Sequence, residues 1–472
     1  MNSVVRSVFC LIFFSMLLTF STLAQNSITG TWNGLLKIQG VQLRIVFHIT
    51  STDNGYQTTM DSPDQGVLGI AISSTNFEEP TLKLALPAAG IEYEGKLENE
   101  QNISGTFKQA GQSIALNLTK SDENQKELVR PQEPKGPFPY HSEDIAFENK
   151  QAGITLVGTL TMPQQEGKFP AVVLISGSGP QNRDSEILGH KLFWVIADYL
   201  TRNGIAVLRF DERGIGKSTG DFGNATSIDF AEDVMAGVDF LKSKTEIDTH
   251  NIGLIGHSEG GIIAPLIAAQ TKDIAFMVLL GAPGIPCDEL MLQQQGLIGK
   301  AQGLSESDIE ISLAINKEIF DIVKNNNNPD KVKNELTKFL KEAVKNNPQT
   351  LIPEGMTEDE MINAQVKQLI NPWMLYFINY NPSNVLEQVQ CPVLALNGEK
   401  DLQVAPKENL AGIESALIKG KNNNFSIKVM PGLNHLFQEC VTGAPDEYGS
   451  IEQTISPDAL KEILMWIQAL NK

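Results

Sequence analysis

Asn251-Ile-Gly-Leu-Ile-Gly-His-Ser-Glu-Gly-Gly-Ile-Ile-Ala-Pro-Leu-Ile-Ala-Ala-Gln270 decides the fold of this chain. A short apolar run, Ile252 to Ile255, stops at Gly256-His257-Ser258-Glu259-Gly260, and a small-residue apolar pattern of helical character follows. This is G-x-S-x-G set between a strand and a helix, where the serine sits on a sharp, strained turn with its hydroxyl lifted above the sheet edge. Glycine fits at 256 and 260 because side chains there would collide where strand and helix nearly touch. The backbone N–H of Glu259 points into the same space from the helix N-terminus, whose partial charge favours a developing anion. Ser258 is the candidate nucleophile and the Glu259 amide a candidate oxyanion donor.

A second match, Gly216-Lys217-Ser218-Thr219-Gly220, shows how little the bare pattern carries. It lies in the polar, glycine-rich run Asp211-Glu212-Arg213-Gly214-Ile215-Gly216, with no strand entering directly and no apolar helix leaving. Ser218 is therefore read as a loop residue. Gly216-Lys217-Ser218 also imitates a phosphate-binding loop, but that motif needs glycine at 211, where Asp211 stands. Nucleotide binding is excluded there.

The 472 residues give room for a large core and more than one domain. Lys and Arg number 37 against 56 Asp and Glu, a net charge of −19 that repels phosphate backbones and argues against nucleic acid as a partner. Arg6, the apolar run Val8 to Phe20 and the small residues of Thr22-Leu23-Ala24 read as a secretory signal peptide over 1–24. Its apolar core is shorter than the roughly 20 residues a membrane span needs. The expectation is a secreted or periplasmic chain with no stable membrane anchor after cleavage. Cys287, Cys391 and Cys440 are too few and too scattered for a disulfide framework.

Residues 25–120 read as an all-β module. Alternation is clear in Gln42 to Ile49 and Thr81 to Leu86, and Gly, Asn, Asp and Pro clusters separate the runs, so a small barrel or sandwich is expected. A polar, proline-bearing stretch over 121–140 reads as a linker. From 141 onward, apolar strand-like runs (Ala171–Ser176, Ile205–Phe210, Ile252–Ile255, Phe276–Leu280, Val393–Leu396, Ile427–Met430) alternate with amphipathic stretches such as Ser227–Lys244, which Thr226 or Ser227 opens as a cap. This predicts an α/β domain with a mostly parallel sheet covered on both faces. The alternation breaks over about 284–384, which is helical in pattern and too long for a plain loop. It is read as a helical cap ending in Trp373, Tyr376, Phe377 and Tyr380, with Trp373 and Phe377 the candidate substrate-binding wall.

A serine nucleophile needs a base, and histidine titrates near the right pH. Of six histidines, His48 belongs to the β module and His141 to the linker edge, while His190 and His250 begin or precede elements read as surface. His257 adjoins the serine on a turn whose neighbouring side chains point apart. His435 remains, in Met430-Pro431-Gly432-Leu433-Asn434-His435 after the last strand. The acid belongs between Ser258 and His435 in chain order. Asp401 ends the run Val393 to Asp401 and can reach back to a histidine, whereas Glu399 follows Gly398 and faces solvent; Asp401 is preferred. A second oxyanion donor is sought in Ser176-Gly177-Ser178-Gly179, with the backbone of Ser178 first and Gly177 second. Arg183 and Asp184 follow and read as a pair that stiffens this loop.

From about Ser142 to the C-terminus the chain resembles the α/β-hydrolase superfamily, specifically bacterial esterases and serine aminopeptidase-like hydrolases. The resemblance rests on Ser176-Gly177-Ser178-Gly179, Asp211-x-Arg213-Gly214-x-Gly216-x-Ser218, Gly256-His257-Ser258-Glu259-Gly260, Gly398-x-x-Asp401 and Gly432-x-x-His435 in order. It implies nucleophile, acid and base at Ser258, Asp401 and His435, and neither metal nor organic cofactor. Ser176 stands where His is common, which leaves the loop donor open. The expected reaction is hydrolysis of a small-molecule carboxylic ester through an acyl-enzyme. A serine peptidase using the same triad is the first alternative, and a non-catalytic binding protein on the same scaffold the second. A homo-oligomer is left open. Terminal sequencing of the native protein should find Gln25 first; an intact Met1 would refute export with cleavage.

Overall fold

The computed structural model describes residues 28–470 except 39–40, 53–54, 63–66, 110–111, 122–128, 327 and 347–356. The predicted signal peptide, 1–24, lies outside the described residues.

The N-terminal module consists of β1 (Gly30–Ile38), β2 (Val41–Thr52), β3 (Gly55–Ser62), β4 (Val67–Ala71), β5 (Ser74–Glu78), β6 (Thr81–Leu86), β7 (Ile91–Asn99), β8 (Asn102–Gln109), β9 (Gln112–Ala115) and β10 (Leu118–Lys120). All pairings are antiparallel, in the order β4-β3-β2-β1-β10-β8-β7-β6-β5, with β9 beside β8. The sheet curls so that β5 returns beside β3, next to its other end. At one end the Thr75 hydroxyl of β5 donates to the Thr58 hydroxyl of β3 at 2.9 Å. The expected all-β module is observed as one curled antiparallel sheet. Alternation places Trp32, Phe47, Tyr93 and Phe107 inside, where burying aromatic and aliphatic side chains stabilises a module this small.

The stretch expected as a linker is fastened down. The Arg130 guanidinium donates to the carbonyls of Leu188 (3.0 Å), Gly189 (3.4 Å), Gly449 (2.9 Å) and Ile451 (2.7 Å). Gln132 donates to the Ile455 carbonyl at 2.7 Å and accepts from the Thr454 amide at 2.7 Å. Its polar composition therefore serves to satisfy loop carbonyls of the larger domain.

That domain is built on β11 (His141–Asn149), β12 (Ile154–Met162), β13 (Phe169–Ile175), β16 (Ala206–Phe210), β17 (Ile247–His257), β18 (Phe276–Leu280), β19 (Val393–Gly398) and β20 (Phe425–Met430); β14 (Glu186–Ile187) and β15 (His190–Lys191) form a separate hairpin. The sheet order is β11-β12-β16-β13-β17-β18-β19-β20, antiparallel over the first three strands and parallel from β16 to β20. Strands buried on both faces read as continuous apolar runs, which is why β13, β16, β17 and β18 were visible in the sequence. One face packs against α2 (Ser227–Lys242), α3 (Gly260–Ala268) and α10 (Pro406–Lys419). The other packs against α1 (Leu192–Arg202) and α11 (Pro457–Leu470). Helix α2 starts as expected at Thr226, whose amide and hydroxyl both donate to Asp229 (2.8 and 2.7 Å).

Between β18 and β19 lie α4 (Cys287–Ala301), α5 (Glu306–Lys324), α6 (Pro329–Asn346), α7 (Glu358–Leu369), α8 (Pro372–Asn379) and α9 (Ser383–Leu386). This insertion has a core of its own, centred on Phe320, Leu336, Ile362 and Ile378. Ser176, Asp211, Ser258, Gly281, Asp401 and His435 all follow the carboxyl ends of parallel strands, where open α/β sheets carry their sites.

Candidate active site

Two close approaches make the turn at Ser258. A Cβ on Gly256 would lie 2.1 Å from the Gly260 carbonyl oxygen, and one on Gly260 would lie 2.1 Å from that of Ile175. Only hydrogen side chains let α3 begin this near to β17 and β13. Ser258 itself has φ +54, a left-handed conformation that a non-glycine residue adopts at a cost of about 1–3 kcal/mol. Its amide donates to the Leu280 carbonyl at 2.8 Å and its carbonyl accepts from Gly261 at 2.8 Å, which holds the strained turn in place.

Asp401 is buried and fully engaged. Its Oδ2 lies 2.7 Å from His435 Nδ1, and its Oδ1 accepts the amides of Gln403 and Val404, each at 2.8 Å. This arrangement fixes the imidazole ring and leaves Nε2 as its second nitrogen. Glu399 is exposed, as expected, and accepts the Gly432 amide at 2.8 Å. His257 turns away from chemistry: its Nε2 donates to the His435 carbonyl at 2.9 Å, and burial pushes its pKa down to about 3. It props the loop that carries His435.

Gly177 abuts the nucleophile, since a Cβ there would meet Ser258 Cβ at 3.0 Å and Oγ at 3.6 Å. Ser178 lines the cavity and its hydroxyl bonds to the Glu259 carboxylate. The structure thus places all the candidate oxyanion residues, Gly177, Ser178 and Glu259, around Ser258.

Two buried carboxylates next to this site escaped the sequence reading. Glu212 accepts from the Ser176 hydroxyl at 2.6 Å and from the Gln181 amide at 2.9 Å, clamping both ends of the glycine loop. The sequence offers one signal for it: Glu212 is the unspecified residue in Asp211-x-Arg213. The Glu259 side chain accepts from Ser227 at 2.6 Å and from the Trp373 indole at 2.8 Å. It therefore joins α2, the nucleophile turn and the helical insertion. Burial raises the pKa of both, that of Glu212 to about 8, and each carboxylate sits in a site too dry to favour its charged form.

A cavity of about 740 Å³ opens over Ser258 and His435. Trp373 and Phe377, stacked at 4.8 Å between ring centroids, line it as expected. Tyr376 and Tyr380 pack elsewhere in the core. Trp373 has the second attachment to Glu259, which its place in an aromatic cluster did not reveal.

Two readings need correction. His190 is not at the surface: it is buried against Thr454 (3.1 Å), the Tyr448 carbonyl (2.9 Å) and Gln438 (2.9 Å), and burial pushes its pKa down to about 4. The cause is the β14–β15 hairpin, which folds under the C-terminal loops. Arg183 and Asp184 do not pair with each other. Arg183 bonds to Asp211 (2.8 Å) and Asp144 (3.2 Å), and Asp184 pairs with Arg209, because the turn sends consecutive side chains to opposite sides. Ser218, correctly a loop residue, is buried, donating to the Asp211 carbonyl at 2.6 Å and accepting from the Val157 amide at 2.9 Å.

Sheet order, insertion point and strand-end residues define the class: the larger domain has the α/β-hydrolase fold. A family model described as serine aminopeptidase, S33, matches residues 191–350. Esterase EstD of Thermotoga maritima is 26% identical over 341 residues, covering 70% of this chain and 70% of its own. Dipeptidyl peptidase 8 of Homo sapiens is 31% identical over 160 residues, 31% of this chain and 17% of its own. Among solved structures, an esterase of Pyrococcus furiosus shares 17% identity at a TM-score of 0.41, covering 73% of this chain and 97% of that one. The chain is thus similar in sequence to hydrolases of this fold, an esterase among them.

Because burial raises the Glu212 pKa on folding from its ordinary 4.5 to about 8, the folded state holds this proton between those values while the unfolded state has lost it. That contribution to stability is complete below about pH 4.5 and is lost as pH rises through about 8. Glu212→Gln should therefore flatten the decline in urea stability between pH 5 and 8 relative to the wild type. An unchanged slope would show that Glu212 ionises freely.

Proposed function

We propose that this protein is a secreted or periplasmic serine hydrolase that cleaves carboxylic esters through an acyl-enzyme. The observation that carries the reading is the buried 2.7 Å contact of Asp401 with His435 Nδ1, facing the same cavity as a serine on a strained strand-to-helix turn. With Nδ1 engaged, His435 accepts the Ser258 proton at Nε2 as the hydroxyl oxygen attacks the ester carbonyl. Asp401 holds the imidazole tautomer and balances the imidazolium that forms. The oxyanion of the tetrahedral intermediate is met by backbone amides at the start of α3, Glu259 foremost, and in the glycine loop at Gly177 or Ser178. His435 returns the proton to the leaving alcohol. Water, activated the same way, then releases the acid.

The α4–α9 insertion acts as a cap. It places Trp373 and Phe377 over the cavity and supplies apolar surface, not catalytic groups. Peptide hydrolysis by the same residues is the second reading, favoured by the family model over 191–350. Export rests on the sequence of residues 1–24 alone.

A panel of p-nitrophenyl esters run beside aminoacyl and prolyl anilides separates the two bonds, and esters should be the better substrates by at least about tenfold in kcat/KM. Ser258→Ala should lower kcat by about 10⁴-fold or more, and Asp401→Asn by a comparable factor through the wrong tautomer. Ser218→Ala and Glu399→Gln should keep most turnover. Equal losses at Ser258 and Ser218 in folded proteins would sink the assignment.

A further inference from the structure

We propose that the β module is part of the substrate site: the β1–β2 hairpin forms the far wall of the cavity and selects esters bearing a neutral, elongated apolar group. The proposal rests on the hydrolase reading above and adds to it where the substrate's tail lies.

The first ground is side-chain alternation. Trp32 and Leu36 on β1, and Ile45, Phe47 and Ile49 on β2, face the module's core. Leu35 and Arg44, paired across the two strands, project from the opposite face. Outward positions of a β module that merely spaces two parts of a chain are expected to be polar. Leu35 is apolar, remains 41% exposed and lines the cavity, and Leu43, half-buried against the module's own core near the start of β2, also reaches it. The same cavity reaches Ser258 and His435.

The second ground is how the module is held there. Arg130 binds the carbonyls of Leu188 and Gly449, and both residues are themselves cavity wall. Leu188 has φ +53, a conformation that persists only where its surroundings over-determine it. A Cβ on Gly449 would lie 3.9 Å from Arg44 Cζ, so the hairpin rests on the loop that the strap secures. The module and the mouth of the cavity are thereby one construction.

The third ground is charge. Arg44 and Asp446 both line this cavity, and their charges offset. The apolar contribution of the hairpin is Leu35 and Leu43, against which a substrate tail running from Ser258 past Phe377 would end.

The test is the ratio of kcat/KM for p-nitrophenyl dodecanoate to that for the acetate, measured on the full chain. Leu35→Glu and the double variant Leu35→Ala/Leu43→Ala should each lower this ratio about tenfold, equivalent to roughly two methylenes left unburied. Thermal unfolding checks that both variants fold. A ratio within twofold of the wild type in both would overturn the proposal. So would a preference for an ester ending in a carboxylate over a neutral ester of equal length that Arg44→Ala abolishes, because the wall would then read charge. Should the wild type cleave no ester at all, the hydrolase reading fails separately. The wall is then tested by binding of the neutral fluorophore phenylnaphthylamine, which Leu35→Glu should weaken about tenfold; equal binding would overturn it.

Discussion

The site depends on how near α3 is allowed to start to the strands beneath it. The carbonyl of Gly260 occupies the place of a Gly256 side chain, and the carbonyl of Ile175 that of a Gly260 side chain. This crowding leaves the intervening residue no ordinary conformation, so Ser258 is forced to positive φ and its side chain clears the sheet. The same crowding aims the first amides of α3 at the space above the serine. Strain and electrostatics share one cause, and larger residues at 256 or 260 would remove both.

Around that turn the domain spends burial on polar groups. Glu212 and Glu259 lie nearly out of water, each with several donors, and both with raised pKa values. Desolvating a carboxylate costs more than its hydrogen bonds return unless they are well placed. What these two residues do provide is position. Glu212 fixes the glycine loop against β16, and Glu259 ties the insertion to the nucleophile turn through Trp373. The cavity is lined by side chains from widely separated stretches of the chain, the β module among them.

The strands that carry the site were legible because buried parallel strands are unbroken apolar runs, and each ends at a residue of distinctive chemistry. Ser258, Asp401 and His435 could be placed by chain order and local context alone. Glu212 could not, because its partners Ser176 and Gln181 are more than thirty residues away. His190 looked like a surface residue since nothing local shows the C-terminal loops folding over it. Arg183 and Asp184 illustrate the same limit: adjacency in sequence suggested a pair, but the turn separated them. Local sequence records strand and turn chemistry, whereas buried polar partners are chosen by the tertiary fold.

The central claim is that Ser258, and no other serine, is activated by His435 and Asp401. It is tested most directly by treating the folded protein with a fluorophosphonate and mapping the adduct by peptide mass spectrometry. A single adduct on Ser258 is expected, formed far more slowly in His435→Ala. An adduct on Ser218, or labelling of Ser258 that is indifferent to His435, would contradict it.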